Sequence, residues 1–130
     1  MNAMATGKGA ALGIGLWTKA RVTITDQKGS FKGYNLTEPS EDTDLIETTA
    51  RMIFQRFKAH LRFGALVETQ SIIPTAVGLK SSSAVSNAVA LASLKALGRK
   101  ANPLETINIG VDASVEAKVT LTGAFDDACA

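Results

Sequence analysis

Three consecutive serines stand between a loop and a run of small apolar residues. The loop begins at Pro74 and contains Gly78, and Ser81, Ser82 and Ser83 lead into an Ala/Val-rich segment. Serine hydroxyls accept hydrogen bonds from amides that the first turn of a helix leaves unpaired. Those amides and the helix dipole favour an anion, so the stretch predicts a phosphate-binding site. An ordinary capped helix is the alternative, since serine is a common N-cap.

Carboxylates further along the chain could complete the chemistry of phosphoryl transfer. That reaction needs a metal ion and a group that orients the attacking hydroxyl and accepts its proton. A serine hydroxyl and one carboxylate suit Mg²⁺, with water and phosphate filling the remaining positions. Glu116 and the pair Asp126–Asp127 are the candidates, and Lys80 adds a positive charge beside the serines. An exposed helix glutamate and helix-capping aspartates are the alternatives.

Two other patterns do not match the binding motifs that they first suggest. Thr6-Gly7-Lys8-Gly9 suggests a nucleotide loop, but a Walker A motif needs glycine at position 2 and Ser or Thr at position 9. Asn2 and Gly9 occupy those positions. His60 has no Cys, Asp or Glu at metal-ligand spacing, so we expect no metal there.

Composition narrows the class of protein. The chain has 130 residues and a net charge of +2, which is too weak to argue for nucleic acid. Its one cysteine, Cys129, excludes an internal disulfide and fits a reducing compartment. No apolar run approaches the roughly 20 residues that span a bilayer, and the N-terminus lacks the layout of a signal peptide. We therefore expect a cytoplasmic protein that binds neither nucleic acid nor membrane.

The length allows a single domain over residues 1–130, and hydrophobic periodicity predicts both strands and helices within it. Asn102, Pro103 and Glu105 form a strong helix start, with the glutamate as capping-box partner. The second helix should be buried nearly all round, because residues 84–92 are almost all apolar or small. The expected strands are residues 12–16, 21–25, 30–35 and 65–73, and the expected helices are residues 40–63, 81–97 and 102–118, with another opening at residue 124. We expect Gly64 to stop the first helix and Gly110 to weaken the third.

The basic residues of the first helix are predicted to form a solvated face rather than a binding face. They are Arg51, Arg56, Lys58 and Arg62. Trp17 and Tyr34 are expected to be packing residues rather than adenine platforms.

The serine segment resembles a known family. Pro-x-x-x-Gly-Leu-x-Ser-Ser-x-Ala is the phosphate-loop motif of the GHMP kinases, and Lys80 with the third serine resembles the archaeal-type shikimate kinase branch. Residues 122–130, Thr-Gly-Ala-Phe-Asp-Asp-Ala-Cys-Ala, resemble the segment that carries the catalytic aspartate of that branch. The motif assigns phosphate binding to Pro74, Gly78, Leu79, Lys80, Ser81, Ser82, Ser83 and Ala84.

The resemblance also implies individual roles and a substrate. Asp126 takes the position of the catalytic aspartate, and Asp127 either supports it or caps a helix. Glu116 takes the place of a magnesium-binding glutamate, and Ser81 or Ser82 would be the serine that reaches the metal. The implied reaction transfers the γ-phosphoryl group of ATP to the 3-hydroxyl of shikimate, with Mg²⁺.

The early segment from Ala5 to Ala11 resembles the substrate side of the same branch, so Lys8 would meet the shikimate carboxylate or a phosphate. A solvated lysine is the alternative. Other acceptors, homoserine or a mevalonate-type alcohol, and a non-catalytic fragment that assembles with another chain remain open.

The resemblance implies an α+β fold, a mixed or antiparallel sheet with helices on one face, which is the ribosomal protein S5 domain 2-like arrangement of the GHMP kinase N-terminal domain. In the family a strand precedes the Ala5 segment and a second α+β half follows the aspartate motif. We therefore expect residues 1–130 to lack both, to need the second half for activity, and to self-associate through an unpaired sheet edge.

Overall fold

The computed structural model describes residues 14–74, 79, 81–100 and 102–118. Within these ranges three strands and three α-helices follow one another in the order β–β–α–β–α–α. No helix among them is long and apolar enough to cross a bilayer. The elements are β1 (Thr18–Thr25), β2 (Phe31–Asn35), α1 (Asp44–Arg56), a 3₁₀ turn (Ala59–Leu61), β3 (Gly64–Ser71), α2 (Ser81–Ala96) and α3 (Pro103–Glu116).

The sheet is mixed, with β3 between β1 and β2. β1 pairs antiparallel with β3, and β2 pairs parallel with it through the crossover that contains α1. Val67 of β3 stands opposite Val22 on one side and Gly33 on the other. Val67 is fully buried in the core cluster that also holds residues from all three helices. The predicted α+β class with a mixed sheet and helices over one face is therefore confirmed.

Helix α1 buries one apolar face against the sheet. Ala50, Ile53 and Phe54 are fully buried, and the Phe54 ring meets Phe31 of β2 edge-on at 5.2 Å. The prediction extended this helix to a stop at Gly64, which was wrong. The α-helix ends at Arg56, and the 3₁₀ turn follows.

Gly64 is instead the first residue of β3. A Cβ atom there would overlap the carbonyl oxygens of Gln27 and Ser30. The adjacent Ala65 amide donates to the Ser30 carbonyl at 2.9 Å. Glycine is therefore needed because the turn after β1 approaches the strand backbone directly.

The first predicted strand is also corrected where it is described. Residues 14–16 form no strand, and β1 begins only at Thr18, opposite Ser71 at the end of β3. Residues 12 and 13 lie outside the described ranges. Because β3 itself ends at Ser71, it offers no further strand residue with which residues before Thr18 could pair.

Helices α2 and α3 follow their predictions closely. Gly98, at φ +66°, comes directly after the last turn of α2, and the Leu97 amide still bonds back to Ser93. Asn102 caps α3 by accepting from the Leu104 amide at 3.0 Å. Burial of α2 is less complete than predicted, because Leu91 is exposed and several of its residues are half-buried.

Candidate functional site

The three serines form the first turn of α2. Ser81, Ser82 and Ser83 are half-buried, so the start of the helix is partly open to solvent. The amides of a first helical turn have no partner within the helix, and the dipole adds a partial positive charge. Pro74 and Leu79, in the segment before the helix, are exposed. This helix end can hold an anion through its backbone.

Not every residue of the predicted phosphate loop is described. Ala84 is half-buried in the first turn of the helix. Gly78 and Lys80 lie outside the described residues, so their part in the phosphate loop stays a prediction.

A fourth serine, which was not among the predicted site residues, supports this first turn. Ser86 is almost completely buried, and its hydroxyl donates to the Ser83 carbonyl oxygen at 3.1 Å. The bond closes one turn of α2 directly behind the three serines. The signal was present in the three-residue spacing from Ser83, which matches serine bonding back along a helix.

Close packing of α3 on α2 brings another element to this end. A Cβ atom on Gly110 would lie 2.6 Å from Asn87 Oδ1 and 3.2 Å from Ser86 Oγ. From that contact, Ser81 lies about 7.5 Å back along α2 and Glu116 about 9 Å forward along α3, at 1.5 Å per residue. Because α2 and α3 pack together and only a short connection separates Ala96 from Pro103, we infer that they run antiparallel, with the end of α3 near the start of α2.

A residue of α1 binds the Glu116 carboxylate of α3. Arg51 of α1 donates from Nη2 to Glu116 Oε1 at 2.8 Å. The same nitrogen donates to Thr48 Oγ1 at 3.2 Å. Glu116, the last residue of α3, is therefore engaged in an ion pair with α1.

A second ion pair joins the same two helices. Arg56 Nε donates to Glu105 Oε1 at 2.8 Å. The two pairs occur in opposite order along α1 and α3, so these helices run antiparallel. On the predicted solvated face, Arg51 and Arg56 stay partly exposed, but each also pairs with a glutamate of α3, which was not predicted. The sequence could not show this, because the partners are 65 and 49 residues away.

The oxygen donors at this end suit a hard divalent cation. Serine hydroxyls and one carboxylate are ligands that Mg²⁺ accepts, with water and phosphate completing its octahedron. Within the described residues no group of three or more His, Cys, Asp or Glu side chains could hold a metal alone. The serines and Glu116 alone would leave positions of a Mg²⁺ octahedron for water and phosphate to fill.

The remaining candidates fall into two groups. Lys8, Asp126 and Asp127 lie outside the described residues, and their predicted roles stay predictions. Trp17 and Tyr34 are both exposed, contrary to the packing role expected of them. Lys19 Nζ stands 4.4 Å from the centre of the Trp17 ring.

Comparison with known proteins identifies the family. The family model described as the GHMP kinases N terminal domain matches residues 44–130, which include all three helices. The chain belongs to the GHMP kinase family. The serine-containing start of α2 and Glu116 both lie inside the matched region.

Curated relatives match over the whole chain. It is 48% identical to the shikimate kinase of Methanococcoides burtonii, 48% identical to that of Methanosarcina acetivorans and 47% identical to that of Pyrococcus furiosus. Each match covers 100% of this chain but 45%, 44% and 47% of the respective relative. The chain thus spans about half the length of these relatives.

A solved structure supports the fold. The crystal structure of homoserine kinase from Cytophaga hutchinsonii superposes with a TM-score of 0.62, covering 83% of this chain and 34% of that one. The two sequences are 20% identical, so this likeness concerns the fold alone.

Proposed function

We propose that this GHMP kinase chain is the ATP-binding part of a shikimate kinase. The reaction transfers the γ-phosphoryl group of ATP to the 3-hydroxyl of shikimate and gives shikimate 3-phosphate and ADP. The observation that carries the proposal is the identity of 47–48% with archaeal shikimate kinases across the entire chain. The homoserine kinase neighbour, at 20% identity, favours no other acceptor.

The start of α2 binds the nucleotide phosphates in this proposal. Backbone amides of the first turn point along the helix axis and can donate to phosphate oxygens. The hydroxyls of Ser81–Ser83 supply further donors, and the bond from Ser86 to the Ser83 carbonyl keeps the turn in place. In the sequence, Gly78 and Lys80 of the preceding loop complete the phosphate-binding motif.

Ser81 or Ser82 and the Glu116 carboxylate would hold Mg²⁺ at this end. When bound, the ion neutralises negative charge on the phosphates and aligns the transferred group. The serines contribute a neutral ligand from α2, and Glu116 contributes a charged ligand from α3. Two helices thus share the task of holding one site.

Asp126 orients the attacking hydroxyl and takes its proton. A bond forms between the shikimate O3 and the γ-phosphorus while the bond from that phosphorus to the bridging β–γ oxygen breaks. The hydroxyl proton passes to the Asp126 carboxylate, and ADP leaves with the electron pair of the broken bond. Asp127 supports that aspartate, and Lys8 meets the shikimate carboxylate or a phosphate.

The proposal extends to the setting of the enzyme. A kinase that consumes ATP and a small metabolite is expected in the cytoplasm. We also propose that residues 1–130 form the N-terminal domain and that a first strand and a C-terminal domain complete the active enzyme, as the resemblance implies.

The test is phosphorylation of shikimate by the full-length protein. Incubation with ATP, Mg²⁺ and shikimate should yield ADP and a new phosphate ester in equal amounts, seen by ³¹P nuclear magnetic resonance. Homoserine and mevalonate serve as matched acceptors and should give at most a few per cent of that rate. Phosphorylation of either at a higher rate than shikimate, or of none of the three, would refute the proposal.

A further inference from the structure

Arg51 of α1 joins that helix to Glu116, the last residue of α3. Its Nη2 lies 2.8 Å from Glu116 Oε1, although 65 residues separate them. We propose that Arg51 is a positioning residue that holds the Glu116 carboxylate in place for a divalent cation. The inference rests on the proposed function, because that function gives Glu116 its metal-binding role.

The arginine is itself held in position. Its Nη2 also donates to Thr48 Oγ1 at 3.2 Å, one turn earlier on α1, and Thr48 is buried. The helix behind it is anchored by Ala50 and Ile53, both fully buried in the core. The guanidinium therefore projects from a helix whose opposite face is packed in the core.

The ion pair leaves coordination capacity on the carboxylate. Arg51 engages Oε1, and within the described ranges the other oxygen of Glu116 accepts no hydrogen bond. A carboxylate can accept at both oxygens, so one can stay on arginine while the other takes a cation. Partners that orient a metal-binding carboxylate in this way typically contribute 10- to 100-fold to metal affinity.

The Arg56–Glu105 pair is an internal control for this role. It has the same 2.8 Å distance, joins the same two helices and is also at the surface. Glu105 lies in the first turn of α3, at the opposite end from Glu116. Loss of either pair should affect the contact between the helices similarly, whereas only loss of Arg51 should affect the metal.

The experiment measures Mg²⁺ affinity without turnover. Mg²⁺ is titrated by calorimetry into the full-length protein saturated with ADP. Arg51→Ala should raise the Mg²⁺ dissociation constant about tenfold, whereas Arg56→Ala should change it less than about twofold. In a Glu116→Gln background, Arg51→Ala should have no further effect, since non-additivity identifies residues that act together.

Arg51→Lys is a conservative variant that still tests the proposal if Arg51→Ala fails to fold. Lysine keeps the positive charge but lacks the planar fork, so it should restore part of the affinity lost in Arg51→Ala. Equal dissociation constants for the Arg51 and Arg56 variants, or tighter Mg²⁺ binding in Arg51→Ala, would overturn the inference. Tighter binding would mean that the guanidinium competes with the cation.

The two proposals fail in different ways. A protein that shows the selective loss of Mg²⁺ affinity but does not phosphorylate shikimate would refute the substrate and keep the positioning role. One that phosphorylates shikimate with equal Mg²⁺ affinity in both arginine variants would refute the positioning role alone.

Discussion

Gly110 of α3 and Asn87 of α2 lie so close that a Cβ atom on the glycine would be 2.6 Å from the asparagine Oδ1. The sequence suggested that Gly110 would weaken its helix, because glycine is a poor helix former. The structure instead uses the missing side chain to let two helices approach. This contact lets α3 pack closely against α2.

Gly110→Val should therefore destabilise the protein by about 2 kcal/mol, because overpacking a closely packed contact costs roughly 1–3 kcal/mol. Chemical denaturation monitored by circular dichroism measures the loss. Gly15→Val is the matched control, since nothing lies within 4 Å of a Cβ at that position. Equal effects of the two substitutions would contradict the packing role.

Gly64→Ala should cost about 3 kcal/mol or more, since the methyl group would meet backbone oxygens that cannot rotate away. Gly29→Ala separates this steric effect from backbone strain. Gly29 has φ +65° but its nearest neighbour would be 3.9 Å from a Cβ, so that substitution should cost only about 1–2 kcal/mol. Urea midpoints of the two variants rank them, and a reversed order would count against the close approach of the turn.

Asn102→Ala should lower the free energy of unfolding by about 1 kcal/mol, because the cap on the Leu104 amide is lost. Asn102→Asp retains an acceptor at the same place and should preserve stability. Thermal unfolding of the three proteins at one pH gives the comparison. If Asp were as destabilising as Ala, the side-chain cap would not be the cause.

Asp126→Asn should reduce kcat by a factor of about 10²–10⁴, which is the usual contribution of a positioned general base. The affinity for ATP should change little, since the aspartate acts on the hydroxyl and not on the nucleotide. Steady-state kinetics and equilibrium ATP binding measure the two quantities. Asp112→Asn, on the exposed side of α3, is the control. Unchanged turnover in the Asp126 variant would remove it from its assigned role.

Local signals predicted much of the fold. The start of α2 at the serines, its end at Gly98 and the Asn102 cap of α3 are set by neighbours within a few residues, and they were placed correctly. The end of α1 was not, because Gly64 serves a contact with a turn more than thirty residues earlier in the chain. A stop signal for a helix and a close approach between a turn and a strand use the same residue type.

The candidate site divides in the same way. The amino-acid sequence by itself determined the chemistry available: the run of serines at a helix start, the acidic residues that follow and the family whose motifs they match. Only the tertiary structure decided that Arg51 holds Glu116, that Ser86 supports the first turn of α2 and that Gly110 brings α3 against it. Residue types and short spacings are written locally, whereas contacts across 65 residues depend on how buried faces of separate helices pack together.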